Sequence, residues 1–303
     1  MPQIGVALPL AAADTRATTA LEFAQRAEAA GVDSVWVLDR LVYDCYEPLI
    51  TLAAVATGTR RVRLGMGILL GALRPPILLA KMLATLDQLS AGRVIVGLGA
   101  GTRADDFEAV GVPHAGRGRR LDELIDVLKL AWSGAPVRYA GRAYTLDVGP
   151  LGPRPLQQPH PPLWLGGRAE AVLRRTARVG DGYIGRSSDG PAGFRRIWDQ
   201  VRAYAEAEGR DPATIVPAAQ VYACVDDNPR RAAALTAGYL TSYYGAAPAD
   251  LSGYLLGSPE QCVALAEQYF AAGVEVLIVG SVTANGDYFE RLCSEVIPRL
   301  QGR

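Results

Sequence analysis

A short apolar segment of the sequence is followed by glycines and an arginine in an arrangement that could bind a phosphate group. Leu163–Leu165 is predicted to be a buried strand, and Gly166–Ala169 (GGRA) leads from it directly into a predicted helix. Backbone amides at a helix N-terminus, with an arginine beside them, favour an anion. Arg186 follows the next predicted strand and supplies a second cation. The alternative is an ordinary glycine-rich turn.

Two other predicted strand ends are also rich in glycine. They are Gly65–Ile68 (GMGI) and Gly97–Gly101 (GLGAG). Small residues let a planar ligand approach the backbone closely, although tight packing at the edge of a sheet has the same signature. The second segment lacks the third glycine of a dinucleotide GxGxxG motif and does not open the first βαβ unit. It therefore favours a glycine-lined edge against a flat cofactor over a nicotinamide site.

Acid–base groups are few at these strand ends. Asp39 and Arg40 follow the second predicted strand and could orient a substrate or bind a polar heterocycle, or form ion pairs with neighbours. No GxSxG motif is present, and neither His114 nor His160 follows a strand. A catalytic triad and a metal-dependent hydrolase therefore have little support, and a zinc site is not expected. A phosphate site without its own acid–base set indicates that a bound cofactor does the chemistry.

Eight strand–helix alternations must position these residues. Continuous apolar strands such as VIVGLG and EVLIVG are typical of parallel strands buried on both faces, each covered by a crossover helix. The pattern predicts one α/β domain over residues 1–303, a (β/α)8 TIM barrel with its site at the C-terminal ends of the strands. A doubly wound open sheet is the alternative. The predicted strands are Ile4–Leu8, Val35–Leu38, Val62–Ile68, Val94–Leu98, Leu163–Leu165, Tyr183–Ile184, Ile215–Val225 and Val276–Val279.

The predicted helices occupy the intervals between these strands and the C-terminus. They cover Thr18–Ala30, Glu47–Thr57, Pro75–Leu89, Arg119–Trp132, Ala169–Val179, Phe194–Glu208, a segment from about Pro229, Pro259–Ala272 and Tyr288–Leu300.

Two segments interrupt this alternation and are predicted insertions at the C-terminal face of the barrel. Pro136–Pro162 contains a predicted hairpin over Val137–Tyr144 that turns at Ala140 and Gly141. Tyr239–Ser258 is rich in glycine, alanine and tyrosine and has few helix signals. Long irregular segments of this kind are often lids or substrate-contacting loops, with solvated connectors as the alternative.

The composition excludes several classes of function. The chain has 31 basic and 31 acidic residues, which favours neither nucleic acid nor a membrane surface as a partner. We expect no signal peptide and no membrane span, because the N-terminus lacks a basic region and no apolar stretch is long enough. The four cysteines are far apart and form no CxxC pair, which favours reduced thiols and a cytoplasmic protein.

Longer blocks of the sequence resemble the luciferase-like monooxygenase superfamily, particularly its coenzyme F420-dependent branch. The ordered combination of RPPILLAK, LDQLSAGR and LDELIDVLK is specific to the superfamily, less specific for the cofactor and nearly silent on the substrate. The similar blocks are AGVDSVWVLDR, RVRLGMGILLGALRPPILLAKMLATLDQLSAGRVIVGLGAG, DDFEAVGVP, RGRRLDELIDVLKLAWSG, PHPPLWLGG, DGYIG and GSPEQCVALAEQYFAAGVEVLIVG.

The resemblance implies a barrel that holds a deazaflavin or flavin at the C-terminal ends of its strands. It implies that Asp39 lies near the cofactor ring, that a non-proline cis peptide bond joins Gly67 to Ile68 against the ring, and that Gly166–Ala169 contacts the phosphate. The predicted cofactor-binding residues are Asp39, Met66, Gly67, Ile68, Gly99, Gly101, Gly166, Gly167, Arg168, Ala169 and Arg186.

The sequence departs from the F420-dependent pattern at two positions. Many such members have histidine where this chain has Arg40, and the sugar-phosphate dehydrogenases have an acid where it has Thr102. These differences argue against sugar-phosphate dehydrogenase activity and leave the proton donor unassigned. Asp39 and Arg40 are the predicted catalytic residues. Arg40 could stabilise developing negative charge, but it is a poor proton donor at neutral pH.

Three hypotheses follow from this pattern and its departures. The first is an F420-dependent oxidoreductase that transfers a hydride between the deazaflavin C5 and a small organic substrate. The second is an FMN-dependent monooxygenase that uses a flavin peroxide, and the third is a relative that binds a ligand without catalysis. An extended basic groove near Arg168 and Arg186 would favour F420, which has the longer anionic tail.

Substrate and subunit contacts are expected outside the cofactor site. The predicted substrate contacts come from Val42–Tyr46 and the two irregular segments, with an aromatic lining from Tyr43, Tyr46, Tyr243, Tyr244 and Tyr254. The predicted macromolecular partner is a second copy of the chain, because the helices with Leu49–Val55 and Ile77–Leu86 are strongly apolar. Packing of those helices within one subunit is the alternative.

Overall fold

The protein is described by a computed structural model that covers residues 2–11 and 17–302. Strand positions agree closely with the apolar segments of the sequence. In chain order the strands are β1 (Gln3–Ala7), β2 (Ser34–Val37), β3 (Arg63–Met66), β4 (Leu69–Leu70), β5 (Val94–Gly99), β6 (Val137–Ala140), β7 (Thr145–Val148), β8 (Leu163–Gly166), β9 (Gly182–Arg186), β10 (Val216–Val225), β11 (Leu255–Gly257) and β12 (Val276–Ser281).

Within the described residues, eight parallel strands close into a barrel. Their order around the barrel is β1, β2, β3, β5, β8, β9, β10 and β12, and β12 pairs again with β1. In the register of the closing pairs, Ile4 of β1 lies beside Leu277 of β12, and Ala218 of β10 lies beside Ile184 of β9. The predicted (β/α)8 TIM barrel is therefore confirmed, and the open sheet is excluded.

Helices surround the barrel and cover its apolar strands. They are α1 (Ala17–Ala29), α2 (Pro48–Gly58), α3 (Pro76–Leu89), α4 (Ala104–Glu108), α5 (Arg117–Trp132), α6 (Glu170–Val179), α7 (Gly190–Ala207), α8 (Pro229–Tyr244), α9 (Pro259–Ala271), α10 (Gly286–Arg291) and α11 (Ile297–Gln301), with a π-helical turn over Leu292–Val296. Among the described helices, none combines the length and apolar character needed to cross a bilayer.

The interior of the barrel is filled by aromatic side chains that require glycine opposite them. The rings of Trp36 and Trp164 are buried with centroids 5.3 Å apart. A methyl group at Gly65 would collide with the Trp36 ring, and one at Gly182 would collide with the Trp164 ring. At Gly65 the smallness of glycine therefore serves packing rather than the approach of a ligand.

The two irregular segments differ from their predicted forms. Tyr239–Ser258 is not wholly irregular, because α8 continues to Tyr244, where Gly245 ends it with a φ of 87°. The predicted hairpin is confirmed, but its turn lies over residues 141–144, and the centre of the turn is two positions later than expected. The carboxylate of Glu123 fixes this turn by accepting hydrogen bonds from the backbone amides of residues 142, 143 and 144.

Candidate active site

A cavity of about 960 Å³ opens at the C-terminal ends of the barrel strands. It receives residues from the ends of β2, β3, β5, β8, β9 and β10 and from the end of α8, so the predicted strand ends come together as expected. Most of the predicted site residues line it: Asp39, Arg40, Gly67, Ile68, Gly101, Gly166, Gly167, Arg168, Ala169 and Arg186. Met66 and Gly99 do not line it.

The floor of the cavity is built around Ile68. The peptide bond between Gly67 and Ile68 is cis, in agreement with the resemblance. A methyl group at Gly166 would lie 3.0 Å from Cγ2 of Ile68, and one at Gly99 would collide with the same side chain. Gly99 thus lets Ile68 pack and makes no contact with the cavity, while Met66 is fully buried in the core below. The prediction of direct cofactor contacts from Met66 and Gly99 is not supported by their positions.

Asp39 fixes the backbone that follows this floor. One carboxylate oxygen accepts hydrogen bonds from the backbone amide of Leu70 at 2.8 Å and from Arg74 at 2.6 Å. The other oxygen accepts from Arg74 at 3.2 Å, and Arg74 also donates to Glu47 at 3.0 Å. The Asp39 side chain is 3% exposed. Its partners indicate that Asp39 positions the segment after Ile68, rather than serving as a free acid or base.

Arg40 and Arg103 converge on one backbone oxygen at the end of α8. The carbonyl of Tyr243 accepts hydrogen bonds from Arg40 at 2.7 Å and from Arg103 at 2.8 Å. Arg40 also donates to the Val42 carbonyl at 3.1 Å and lies 3.5 Å from the Asp105 carboxylate. A cation is favourable at a helix C-terminus, because the carbonyls there carry partial negative charge. Although Arg40 lines the cavity, these contacts favour a positioning role over the predicted catalytic one.

One side of the cavity is basic and rich in glycine. The Arg168 and Arg186 side chains are 67% and 48% exposed, and Asp189 lies 3.9 Å from the first and 3.2 Å from the second. Gly167, with a φ of 134°, precedes α6 in a backbone conformation that L side chains rarely adopt. Its carbonyl accepts a hydrogen bond from the Tyr183 hydroxyl at 3.1 Å. Flexible cations and a fixed glycine turn lie together here, as the sequence predicts for an anion site.

Another part of the cavity lining is a wall of tyrosines. Tyr243, Tyr244 and Tyr254 line it as expected, and Tyr222 of β10 joins them. The Tyr222 and Tyr244 hydroxyl oxygens are 2.8 Å apart. Burial, together with the neighbouring tyrosines, holds the pKa of Tyr222 well above its ordinary value, so this phenol is protonated at neutral pH. Tyr43 packs on Tyr243, with ring centroids 5.1 Å apart, and Tyr46 packs against the main core. Neither residue lines the cavity.

Sequence reasoning missed two lining residues in β10, Gln220 and Tyr222. A methyl group at Gly67 would lie 2.5 Å from the Gln220 side-chain oxygen, so this amide lies beside the cavity floor. Both residues are polar positions two apart inside the predicted apolar strand Ile215–Val225. Residues two apart share one face of a strand, so this spacing was an available signal for an inward-facing pair.

Comparisons with known proteins agree with this architecture. The model of the luciferase-like monooxygenase family matches residues 3–255. The chain belongs to this family. The F420-dependent glucose-6-phosphate dehydrogenase of Kineococcus radiotolerans is 33% identical over 222 residues, which cover 70% of this chain and 65% of that protein.

Relatives with the other cofactor are about as similar. The FMNH(2)-dependent dimethylsulfone monooxygenase of Pseudomonas putida is 34% identical over 167 residues, covering 54% of this chain and 46% of that protein.

A solved structure with the same fold is the coenzyme F420-dependent tetrahydromethanopterin reductase of Methanopyrus kandleri. It superposes with a TM-score of 0.82 and 22% identity, covering 99% of each chain. The predicted class, an F420- or flavin-dependent oxidoreductase, is confirmed, and the choice of cofactor is a separate question.

Proposed function

We propose that this luciferase-like protein is an F420-dependent oxidoreductase that transfers a hydride between the deazaflavin C5 and a small organic substrate. The observation that carries the proposal is the glycine-lined cavity floor around Ile68, bordered on one side by Arg168 and Arg186. A flat ring with a phosphate-bearing chain needs close contact with the backbone and cations at one edge, and this part of the cavity supplies both.

The cavity is large enough for a cofactor-sized ligand. Its volume of about 960 Å³ is at the upper end of the range of roughly 300–1,000 Å³ for single-ligand sites. Gly67 and Gly166 leave the space above Ile68 free of side chains of their own, and a side chain at either position would compete with Ile68 or Gln220. These features fit the tricyclic head of a deazaflavin or flavin.

The basic edge favours F420 over FMN. The guanidinium groups of Arg168 and Arg186 extend toward solvent from the lip of the cavity, where a long anionic tail would leave it. Arg117 also lines this part of the cavity. FMN ends at its phosphate, so it has no further anionic groups to pair with cations beyond that point. The FMN-dependent monooxygenase therefore remains the second candidate, supported by the relative from Pseudomonas putida.

When bound, F420 supplies a two-electron hydride at C5, and the chain's own residues supply position and environment. Gly166–Ala169 with Arg168 would hold the phosphate, and Ile68 would support the ring. Asp39 holds the backbone of Leu70 in place through its pair with Arg74.

Binding of two deazaflavins by arginine variants tests this assignment. F420 and its phosphate-free core with the ribityl chain are titrated against wild type, Arg168→Ala with Arg186→Ala, and the control Arg174→Ala, whose side chain pairs with Glu170 outside the cavity. We expect the double variant to bind F420 at least tenfold more weakly and the core equally well, with the control unchanged. Equal F420 affinity in all three proteins would refute the phosphate assignment.

We also propose that the chain forms a homodimer through α2 and α3. These neighbouring helices bury most of their apolar side chains within the subunit, but Ile50 is 71% exposed and Leu78 is 54% exposed. Covering two large apolar side chains on adjacent helices would contribute a few kcal/mol to association, at about 25 cal/mol per Å² buried. Packing within one subunit explains the buried apolar side chains of α2 and α3, but it leaves Ile50 and Leu78 exposed.

A further inference from the structure

The proposed hydride transfer requires a proton donor, and the cavity offers few. Among its lining residues in the described chain there is no histidine, and the carboxylates are those of Asp39 and Asp106. Asp39 is held by Leu70 and Arg74. Asp106 accepts hydrogen bonds from the backbone amides of Leu41 and Val42 at 3.0 and 2.8 Å. Both carboxylates are therefore hydrogen-bonded groups that fix loops.

The guanidinium groups at the mouth are occupied as well. Arg40 and Arg103 both donate to the Tyr243 carbonyl and lie over tyrosine rings, with Arg40 4.8 Å from the Tyr43 ring centroid. They are held by the protein and lack the freedom to grip an anionic substrate. The neighbouring lining residues are apolar: Leu38, Leu240, Ala246, Ala247 and Pro248. This part of the cavity suits an uncharged substrate.

Among the hydroxyl groups that line the cavity, those of Tyr222 and Tyr244 form a directly bonded pair, and their position suits a proton donor. Tyr222 follows Gln220 by two residues on the inner face of β10, about 7 Å further along the strand. Since the Gln220 amide lies beside Gly67, the pair begins just beyond the cavity floor. Tyr222 is buried, and Tyr244 is 48% exposed as a whole residue, although its hydroxyl is desolvated beside that of Tyr222.

We propose, resting on the function proposed above, that the Tyr222–Tyr244 hydroxyl pair donates a hydrogen bond and then a proton to the carbonyl oxygen of an apolar aldehyde or ketone. A new C–H bond would form at the carbonyl carbon as the C5–H bond of reduced F420 breaks, so the carbonyl is reduced and the deazaflavin is oxidised by the same two electrons. The O–H bond of Tyr222 breaks as an O–H bond forms on the substrate oxygen. The Tyr222 oxygen takes a proton from Tyr244, which is reprotonated by water, and the product is the alcohol.

The pair explains the departure from the F420-dependent pattern at Arg40. Arg40, which follows β2, binds the Tyr243 carbonyl at the end of α8, and this contact holds Tyr244 next to Tyr222. Both phenols are protonated at neutral pH, since burial raises the pKa of Tyr244 as it does that of Tyr222. A protonated phenol both donates a hydrogen bond to a carbonyl oxygen and can release its proton as negative charge develops there.

The test uses reduced F420 with cyclohex-2-en-1-one, cyclohexanone and benzaldehyde, and with glucose 6-phosphate as an anionic contrast. The proteins are wild type, Tyr222→Phe, Tyr244→Phe and the control Tyr204→Phe, which removes a hydroxyl that donates to Glu170 outside the cavity. Wild type should reduce at least one of the apolar carbonyl compounds and leave glucose 6-phosphate unreacted. General acid catalysis contributes about 10²–10⁴-fold, so Tyr222→Phe should lower kcat at least 100-fold with the Kd for F420 within twofold.

Tyr244→Phe keeps the proposal testable if the buried Tyr222 variant folds poorly, because Tyr244 is half exposed. It should lower kcat about tenfold, and the control Tyr204→Phe should stay within threefold of wild type. Infrared spectra of carbonyl-labelled benzaldehyde on the oxidised holoprotein give a second readout. The carbonyl stretch should lie lower on wild type than on Tyr222→Phe, because only wild type supplies the hydrogen bond.

The outcomes separate the two proposals. If wild type binds FMN and no F420, the proposed function fails and this inference fails with it. If wild type binds F420 but neither binds nor reduces any of the three apolar carbonyl compounds, the substrate class is wrong and the cofactor assignment stands. If Tyr222→Phe and Tyr244→Phe keep the wild-type kcat and carbonyl stretch, the tyrosine pair is not the donor.

Discussion

Replacing Asp39 by asparagine should destabilise the protein by about 3 kcal/mol, although the two side chains have nearly the same shape. Asp39 is 3% exposed and accepts three hydrogen bonds, two of them from Arg74, whose side chain is 18% exposed. Removing one member of a buried ion pair costs about 3–5 kcal/mol. We take the lower end because Arg74 is partly exposed and keeps Glu47 as a partner.

Equilibrium unfolding in urea measures this loss, with Glu47→Gln as the matched control. Glu47 is the other partner of Arg74, but its side chain is 36% exposed, so its removal should cost less than about 1 kcal/mol. At about 2 °C per kcal/mol for a large chain, the Tm of Asp39→Asn should fall by about 6 °C. F420 binding should weaken in parallel, because asparagine keeps one acceptor oxygen but places an NH2 group against Arg74, so the segment after Ile68 loses its ion pair. A variant that unfolds like wild type yet loses F420 binding would refute the positioning role.

Three further predictions follow from other regions. Burial raises the pKa of Cys224 to about 11 and the pKa values of Cys262 and Cys293 to about 12. At pH 8, therefore, no more than one thiol should react with Ellman's reagent until the protein is unfolded. Three fast-reacting thiols would contradict this prediction. Hydrogen bonds from Arg231 hold the pKa of Asp226 well below its ordinary value near 4. That carboxylate therefore stabilises the fold above about pH 4 and progressively less as the pH falls. In urea unfolding, the free energy of unfolding of Asp226→Asn should be lower than that of wild type at pH 7, and the difference should shrink in acid. A difference that does not change with pH would contradict the assignment. Ile50→Lys with Leu78→Lys should convert a dimer to a monomer in sedimentation velocity, whereas a wild-type monomer at micromolar concentration would disprove the dimer.

Much of the fold was predictable because its strands are buried on both faces. β5 (VIVGLG) is wholly buried, and such a run is readable from hydrophobicity alone. Helix starts were also readable where proline or an acceptor side chain marks them, as at Pro76 of α3. The end of α8 could not be predicted in this way. Alanine and tyrosine in its last turns give only a weak helical pattern of apolar residues, although tertiary contacts hold them in a helix.

The site was predictable as a location and less so in its details. Glycines at strand ends were correctly expected around one cavity, but Gly65 and Gly99 serve Trp36 and Ile68, and only packing in three dimensions distinguishes these roles. Arg40 looked free in the sequence. Its partner, the carbonyl of Tyr243, is 203 residues away along the chain and carries no side-chain signal.

Titration of the purified protein with F420 and with FMN, each followed by fluorescence and calorimetry under the same buffer conditions, tests the central claim most directly. The glycine floor and the basic edge at Arg168 and Arg186 predict micromolar or tighter binding of F420 and at least tenfold weaker binding of FMN. Micromolar binding of FMN with no binding of F420 would contradict the claim and favour the monooxygenase. Failure to bind either would favour a relative that has lost the cofactor.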